Sequence, residues 1–314
     1  MTRAFIFPGQ GSQTPGMGKD LAEAFPEARH VFEEVDDALD QKLAKIVFEG
    51  PDSDLNLTEN TQPALMAVSM AVMRVLEKQG NLDLSKSAAF VAGHSLGEYA
   101  ALTAAGSFDI ATTAKLLKLR GQSMQKAVPV GIGAMAAILG LDFEDVKAIA
   151  ATASAAEIVS AANDNSPGQV VISGHRAAVE AAMALATEKG AKRALLLPVS
   201  APFHCSLMQP AADVMAEALA AIDIKAPVIP VVANVTASAV TDPAQIRDLL
   251  VKQVTGVVRW RESVTWMKEQ GVTEMIEIGA GKVLAGLVKR IESDVATSSV
   301  GTAAQIDELL EKLK

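Results

Sequence analysis

The sequence predicts an α/β fold in two parts: a large domain built on a parallel sheet, and a smaller inserted domain with β-α-β-β-α-β order. Three observations predict it. Short apolar runs such as Ala4 to Phe7 and Ala88 to Ala92 stop at glycine-rich turns and lead into helical patterns, the alternation that builds parallel sheets. Glycines flank a serine in Gly93-His94-Ser95-Leu96-Gly97, where one such strand meets its helix, as in the nucleophile elbow of hydrolase-like folds. From Gly131 to Val199 the pattern becomes strand, helix, strand, strand, helix, strand, which is the ferredoxin-like order. The large hydrolase-like domain is therefore expected over residues 1–127 and 199–314, with the ferredoxin-like insert over 128–198.

Element by element, Pro8-Gly9 ends the first strand in a turn that proline and glycine punctuate. Pro63 is expected to open a long helix that stops at Gly80, because proline suits a first turn and glycine suits the position past the end. Met66, Met70 and Met73 recur on one face of it and read as core. After the elbow, Glu98 to Ala105 is an alanine-rich helix ended by Gly106, and Lys115 to Lys126 belongs to a further helix. In the insert, Ala134 to Leu139, Glu157 to Ala162, Gln169 to Ser173 and Arg193 to Val199 read as strands. Phe143 to Ala151 and Ala177 to Lys189 read as helices, and Asn163 to Gly168 as a turn. Apolar strands near Val228 to Val232 and Met275 to Ile278 return to the large domain.

The 314 residues are 50% hydrophobic and 21% charged, ordinary values for a globular chain. A net charge of -9 argues against non-specific nucleic-acid binding, which needs a cationic excess to neutralise phosphates. One cysteine, Cys205, can form no intramolecular disulfide and fits a reducing compartment. No segment reaches the roughly 18–20 apolar residues that span a bilayer, and Pro8 cuts the amino-terminal apolar run short of a signal peptide. A soluble cytoplasmic protein is expected.

The serine elbow carries chemistry because a sharp turn exposes Oγ while the helix behind it aims unpaired N–H groups at an oxyanion. Ser95 needs a base, and there are four histidines. His30 sits among charged residues on a polar helix, His175 lies in a turn beside Arg176, and His94 adjoins the serine, where neighbouring side chains diverge. His204, in Ala201-Pro202-Phe203-His204-Cys205, is the best general base. Cys205 points away from it in an extended segment and reads as a small buried hydrophobe. No acid completes a triad: Asp164, Asp213 and Asp242 all read as turn or surface. Gly9-Gln10-Gly11-Ser12-Gln13-Thr14 lacks the third glycine and the ribose acid of a dinucleotide site, and Gly279-Ala280-Gly281-Lys282-Val283 fails as a phosphate loop. The histidines and the single cysteine show no metal-binding spacing. Arg120, beside Lys115, Lys118 and Lys126, reads by itself as part of a solvated basic face.

Together the motifs resemble the malonyl-CoA:acyl-carrier-protein transacylases of fatty-acid synthesis. The resemblance rests on Phe7-Pro8-Gly9-Gln10-Gly11-Ser12-Gln13, Gly93-His94-Ser95-Leu96-Gly97-Glu98, Arg120-Gly121 with Met124-Gln125, and Ala201-Pro202-Phe203-His204. Asn163 with Ser166 to Gln169, Gln253 before Val257-Arg259-Trp260, and Glu277-Ile278-Gly279 extend it over the whole chain. It implies Ser95 as the acylated nucleophile and His204 as its base, oriented by the backbone carbonyl of Gln253. It implies an oxyanion hole from the N–H groups of Gln10 and Leu96. Arg120 would hold the malonyl carboxylate, and Phe203 would crowd an α-methyl group. The implied partners are malonyl-CoA and acyl carrier protein, with no metal or redox cofactor and a monomeric enzyme. An acidic carrier requires a local basic rim, for which Lys192, Arg193, Lys289 and Arg290 are candidates. A serine thioesterase using the same elbow, or a carrier-docking module without catalysis, are the alternatives.

Overall fold

Ala4, Phe5, Ile6 and Phe7 are fully shielded from solvent, as a strand covered on both faces requires. They form β1 (Arg3–Phe7) at the centre of the first sheet in a computed structural model that describes residues 2–155, 157–199 and 201–313. Beside β1 run β2 (Phe90–Gly93) and β9 (Glu274–Ile278), and beyond them β7 (Val231–Ala233) and β10 (Ala296–Val300), all parallel. The short β8 (Ser238–Val240) pairs antiparallel with β7, giving the order β10-β9-β1-β2-β7-β8. The carboxyl ends of β1, β2 and β7 thus lie side by side, the edge where open α/β sheets bind ligands.

The second sheet is antiparallel throughout. It comprises β3 (Gly133–Leu139), β4 (Val159–Ser166), β5 (Gln169–His175) and β6 (Arg193–Leu196), in the order β4-β5-β3-β6. Helices Phe143–Ala153 and Arg176–Glu188 connect its strands. Side chains alternate as a pleat demands. Ala134, Ala136, Ile138, Val170 and Ile172 pack with those helices in a core of their own, whereas Met135 and Val171 face the core of the larger unit.

Two expectations need correction. The helix expected from Pro63 begins at Thr58 and runs to Gly80, with Pro63 inside it. Its first turn is held from outside: the Leu57 carbonyl accepts the N–H groups of Asn60 and Thr61, and the Thr61 hydroxyl donates to the Leu55 carbonyl at 2.6 Å. These bonds outweigh the one intrahelical bond that proline forgoes. Likewise the turn expected at 163–168 shrinks to Pro167-Gly168, because β4 continues to Ser166 through two register shifts. Bulges of this kind re-aim polar side chains, so Asp164 is not at a surface turn but buried, paired to Arg261 at 2.8 Å.

Candidate active site

Ser95 stands between β2 and the helix Leu96–Ala104 at φ 54, ψ −107, a left-handed setting that only a tightly held serine adopts. The glycines around it are steric necessities. A Cβ on Gly93 would run into the Gly97 carbonyl, and one on Gly97 into the carbonyls of Phe7 and Pro8. Asn234, just past the end of β7, secures the turn: its Oδ1 accepts the Ser95 N–H at 2.7 Å and its Nδ2 donates to the Gly93 carbonyl at 2.7 Å.

His204, also at positive φ, lies with Nε2 2.8 Å from Ser95 Oγ and Nδ1 2.9 Å from the Gln253 carbonyl. A carbonyl only accepts, so Nδ1 carries the proton and Nε2 is left to receive one from serine. Burial is the main force holding the His204 pKa down to about 3, with the Arg120 cation the next cause; hydrogen bonds to the backbone of Gln253 and Gly256 oppose it. The imidazole is therefore neutral near pH 7.

Arg120 overturns its reading as a solvated residue. It is 1% exposed, donating from Nη1 to Gln62 Oε1 at 2.7 Å and from Nη2 to Ser95 Oγ at 3.0 Å and Gln253 Oε1 at 2.9 Å. Gly121 makes this possible, since a Cβ there would sit 2.5 Å from Glu59 Cα and force the two helices apart. The guanidinium also lies 5.6 Å from the centre of the Tyr99 ring, within reach of a cation–π contact.

These groups open onto a cavity of about 270 Å³, lined among others by Gln10, Ser95, Leu96, Arg120, Phe203 and His204. Gln253 stands behind them, fully buried. The structure thus brings Gln10, Ser95, Leu96, Arg120, Phe203, His204 and Gln253, the site residues implied by the sequence, to one place. The N–H groups of Gln10 and Leu96 have no hydrogen-bond acceptor among the described residues. Met124, Met135, Val171 and Leu197 add an apolar wall. His94 bridges across the cleft to Asn165 of β4 at 2.8 Å; His175 precedes helix Arg176–Glu188 without a side-chain cap bond, its Nδ1 accepting the Ile158 N–H instead; and His30 faces solvent near Glu33. Cys205 is buried with Sγ toward the Pro202 carbonyl, and burial raises its thiol pKa.

Gln62, Glu98 and Asn234 are the residues that sequence reasoning missed as parts of the site. The one available signal was positional: Asn234 directly follows a Val-Val-Ala strand, at the edge where α/β sites form. Nothing in the local sequence marks Gln62 or the destination of the Glu98 side chain.

Residues 4–306 match the acyl transferase domain family. The malonyl CoA-acyl carrier protein transacylase of Escherichia coli strain K12 is 48% identical over 308 residues, covering 98% of each chain. A crystal structure of acyl-carrier-protein-S-malonyltransferase from Bartonella henselae superposes with a TM-score of 0.97 at 56% identity, covering 100% of this chain and 99% of that one. A malonyl-transacylase solved in complex with a type II PKS acyl-carrier protein superposes at 0.96 with 46% identity, covering 99% of this chain and 100% of that one.

Proposed function

This chain belongs to the acyl transferase family, among its malonyl-CoA:acyl-carrier-protein transacylases, and from that premise we propose how its residues carry the reaction. It transfers malonyl from malonyl-CoA to acyl carrier protein. The observation that carries the mechanism is Ser95 Oγ, held at 2.8 Å from the free Nε2 of His204 and at 3.0 Å from Arg120.

The malonyl carboxylate takes over the Arg120 N–H now spent on Ser95 Oγ; a charge-assisted bond of this kind is worth roughly 1.5–3 kcal/mol. Neutralising that cation removes the second cause of the low His204 basicity, so substrate arrival itself strengthens the base. His204 accepts the serine proton, Oγ attacks the thioester carbonyl, and the N–H groups of Gln10 and Leu96 stabilise the oxyanion. Collapse breaks the C–S bond, and His204 returns the proton to the CoA sulfur. The carrier's phosphopantetheine thiol then gives its proton to His204 and attacks malonyl-Ser95, and the proton ends on Oγ as the serine leaves. Only protons and an acyl group move, so no metal or redox cofactor is required. Phe203 narrows the pocket against an α-methyl branch.

For the carrier, sheet register supports a docking rim. Leu139 pairs with Gln169 on one side and Arg193 on the other, and Gln169 accepts a hydrogen bond from Arg290. Exposed Lys192, Arg193 and Arg290, with Lys289 adjoining, therefore gather at one end of the small sheet, a basic patch for an acidic partner. Residues 1–127 and 199–314 form the hydrolase-like domain and 128–198 a ferredoxin-like insert. We place the enzyme in the cytoplasm, where a single cysteine fits a reducing compartment, acting as a monomer. Among the described residues no helix is long and apolar enough to cross a membrane.

Intact-mass measurement after mixing with malonyl-CoA tests the scheme. A malonyl adduct should form on the wild type and vanish in Ser95→Ala; an adduct that survives the substitution moves the nucleophile elsewhere. Arg120→Ala should cut malonyl transfer by on the order of tenfold or more, the worth of one charge-assisted bond, while sparing acetyl transfer. Equal loss of both acyl groups removes Arg120 from selectivity.

A further inference from the structure

Ser95 and Glu98 are spaced as a capping box, in which the serine hydroxyl would bond the N–H of Glu98 and the carboxylate would reach back to the N–H of Ser95. Neither bond forms. The serine side chain makes no cap hydrogen bond; it is committed to His204 and Arg120. Asn234 Oδ1 takes the Ser95 N–H in place of the carboxylate. Glu98, 2% exposed, is turned sideways, and its Oε2 accepts the backbone N–H of Asn234 at 3.0 Å and Nε2 of Gln253 at 2.8 Å.

Both donors support the reacting pair. Asn234 holds the elbow at Ser95 and Gly93. Gln253 also donates from Nε2 to the Ser95 carbonyl at 3.0 Å, accepts Arg120 on Oε1, and orients His204 with its backbone carbonyl. One carboxylate oxygen is therefore where the supports of nucleophile, base and guanidinium meet. Glu98 does not line the cavity. Burying a carboxylate is costly unless its acceptors are used, and here burial lifts the pKa to about 7 against the pull of Asn234, Gln253 and Arg120. A helix cap alone would need neither the burial nor the sideways rotamer.

We infer that Glu98 is a positioning residue, whose Oε2 fixes Gln253 and Asn234 and through them the alignment of His204 with Ser95. The inference rests on the assignment of those two as base and nucleophile. The role lies in where one acceptor oxygen sits rather than in its charge, because a proton on Oε1 leaves Oε2 free to accept both bonds.

The test is single-turnover malonylation of the full chain, followed by rapid-quench intact mass, in Glu98→Asp, Glu98→Gln and Glu98→Ala. Aspartate keeps the charge and withdraws the oxygen by one methylene; glutamine gives up the charge and keeps an oxygen in place. Malonylation should slow on the order of 100-fold in Asp and Ala, the loss that a misplacement of about 1 Å produces. The half-saturating malonyl-CoA concentration should shift far less than the rate, by less than about threefold, since Arg120 keeps its own bond to Gln62 when Gln253 is displaced. Gln should react roughly tenfold or more faster than Asp. Ala within about threefold of wild type, Asp as fast as Gln, or rates that merely follow thermal unfolding midpoints would overturn the inference. Should Ala fail to fold, Asp against Gln decides. A wild-type chain that forms no adduct on Ser95 strikes the acyl-enzyme scheme instead, so the two failures are distinguishable.

Discussion

At the scale of single residues, the proposed mechanism depends on an unprotonated imidazole held out of water. His204 is 5% exposed, and burial followed by the Arg120 cation depresses its pKa from 6.5 to about 3. For stability, a depressed histidine contributes above its unfolded pKa and loses that contribution as pH falls from 6.5 toward 3. For activity, the proposed base His204 is expected not to titrate in the usual histidine range. The rate constant for Ser95 malonylation should stay level from about pH 7.5 down to about pH 5, without an inflection near 6.5. Stopped reactions across that range check this, and a tenfold fall per unit below 6.5 would show an imidazole that titrates freely. The absence of a triad acid also has a residue-level account. The Gln253 carbonyl accepts from Nδ1 and so fixes the tautomer, and the buried carboxylate of Glu98 accepts from Gln253 rather than from the imidazole.

Among the elements, the strand–elbow–helix unit of β2 and Leu96–Ala104 is the most constrained. Its helix starts beneath the Phe7 and Pro8 carbonyls at van der Waals limit, and Gly97 is what lets it do so. Gly97→Ala should lower unfolding free energy by about 3 kcal/mol or more, the upper end of what overpacking costs, because the colliding atoms are backbone and cannot repack. Urea unfolding measures it, and a loss below about 1 kcal/mol would mean that the helix can slide away from β1. Helix Thr58–Gly80 teaches the converse lesson. Pro63 is a strong local signal for a helix start, while the bonds that begin the helix at Thr58 are accepted by the carbonyls of Leu55 and Leu57, which precede it. Helix Ile110–Ala127 carries Lys115, Lys118 and Arg120 in one stretch of sequence, yet Arg120 alone turns fully inward, onto Gln62 and Gln253.

Over the whole molecule, the cavity exists because the carboxyl edge of one sheet faces one side of another. Bonds run across the cleft: Asp164 to Arg261, His94 to Asn165, and a backbone pairing in which Val258 donates to the Ala162 carbonyl and accepts from the Asp164 N–H. The last of these ties the small sheet to the segment just past Gln253, and so to the support of His204. What the sequence by itself determined were the features written in short range: period-two and helical patterning, the Gly93–Gly97 elbow, the family motifs, and a count of histidines small enough to isolate His204. Each of these depends on residues within a few positions of one another, or on composition. Tertiary structure alone decided the burial of Arg120 and Asp164, the conversion of a Ser95–Glu98 capping pattern into two separate networks, and the recruitment of Gln62 and Asn234. Those depend on partners 58 to 155 positions away, and a polar side chain declares its partner only once burial has taken water away as the alternative.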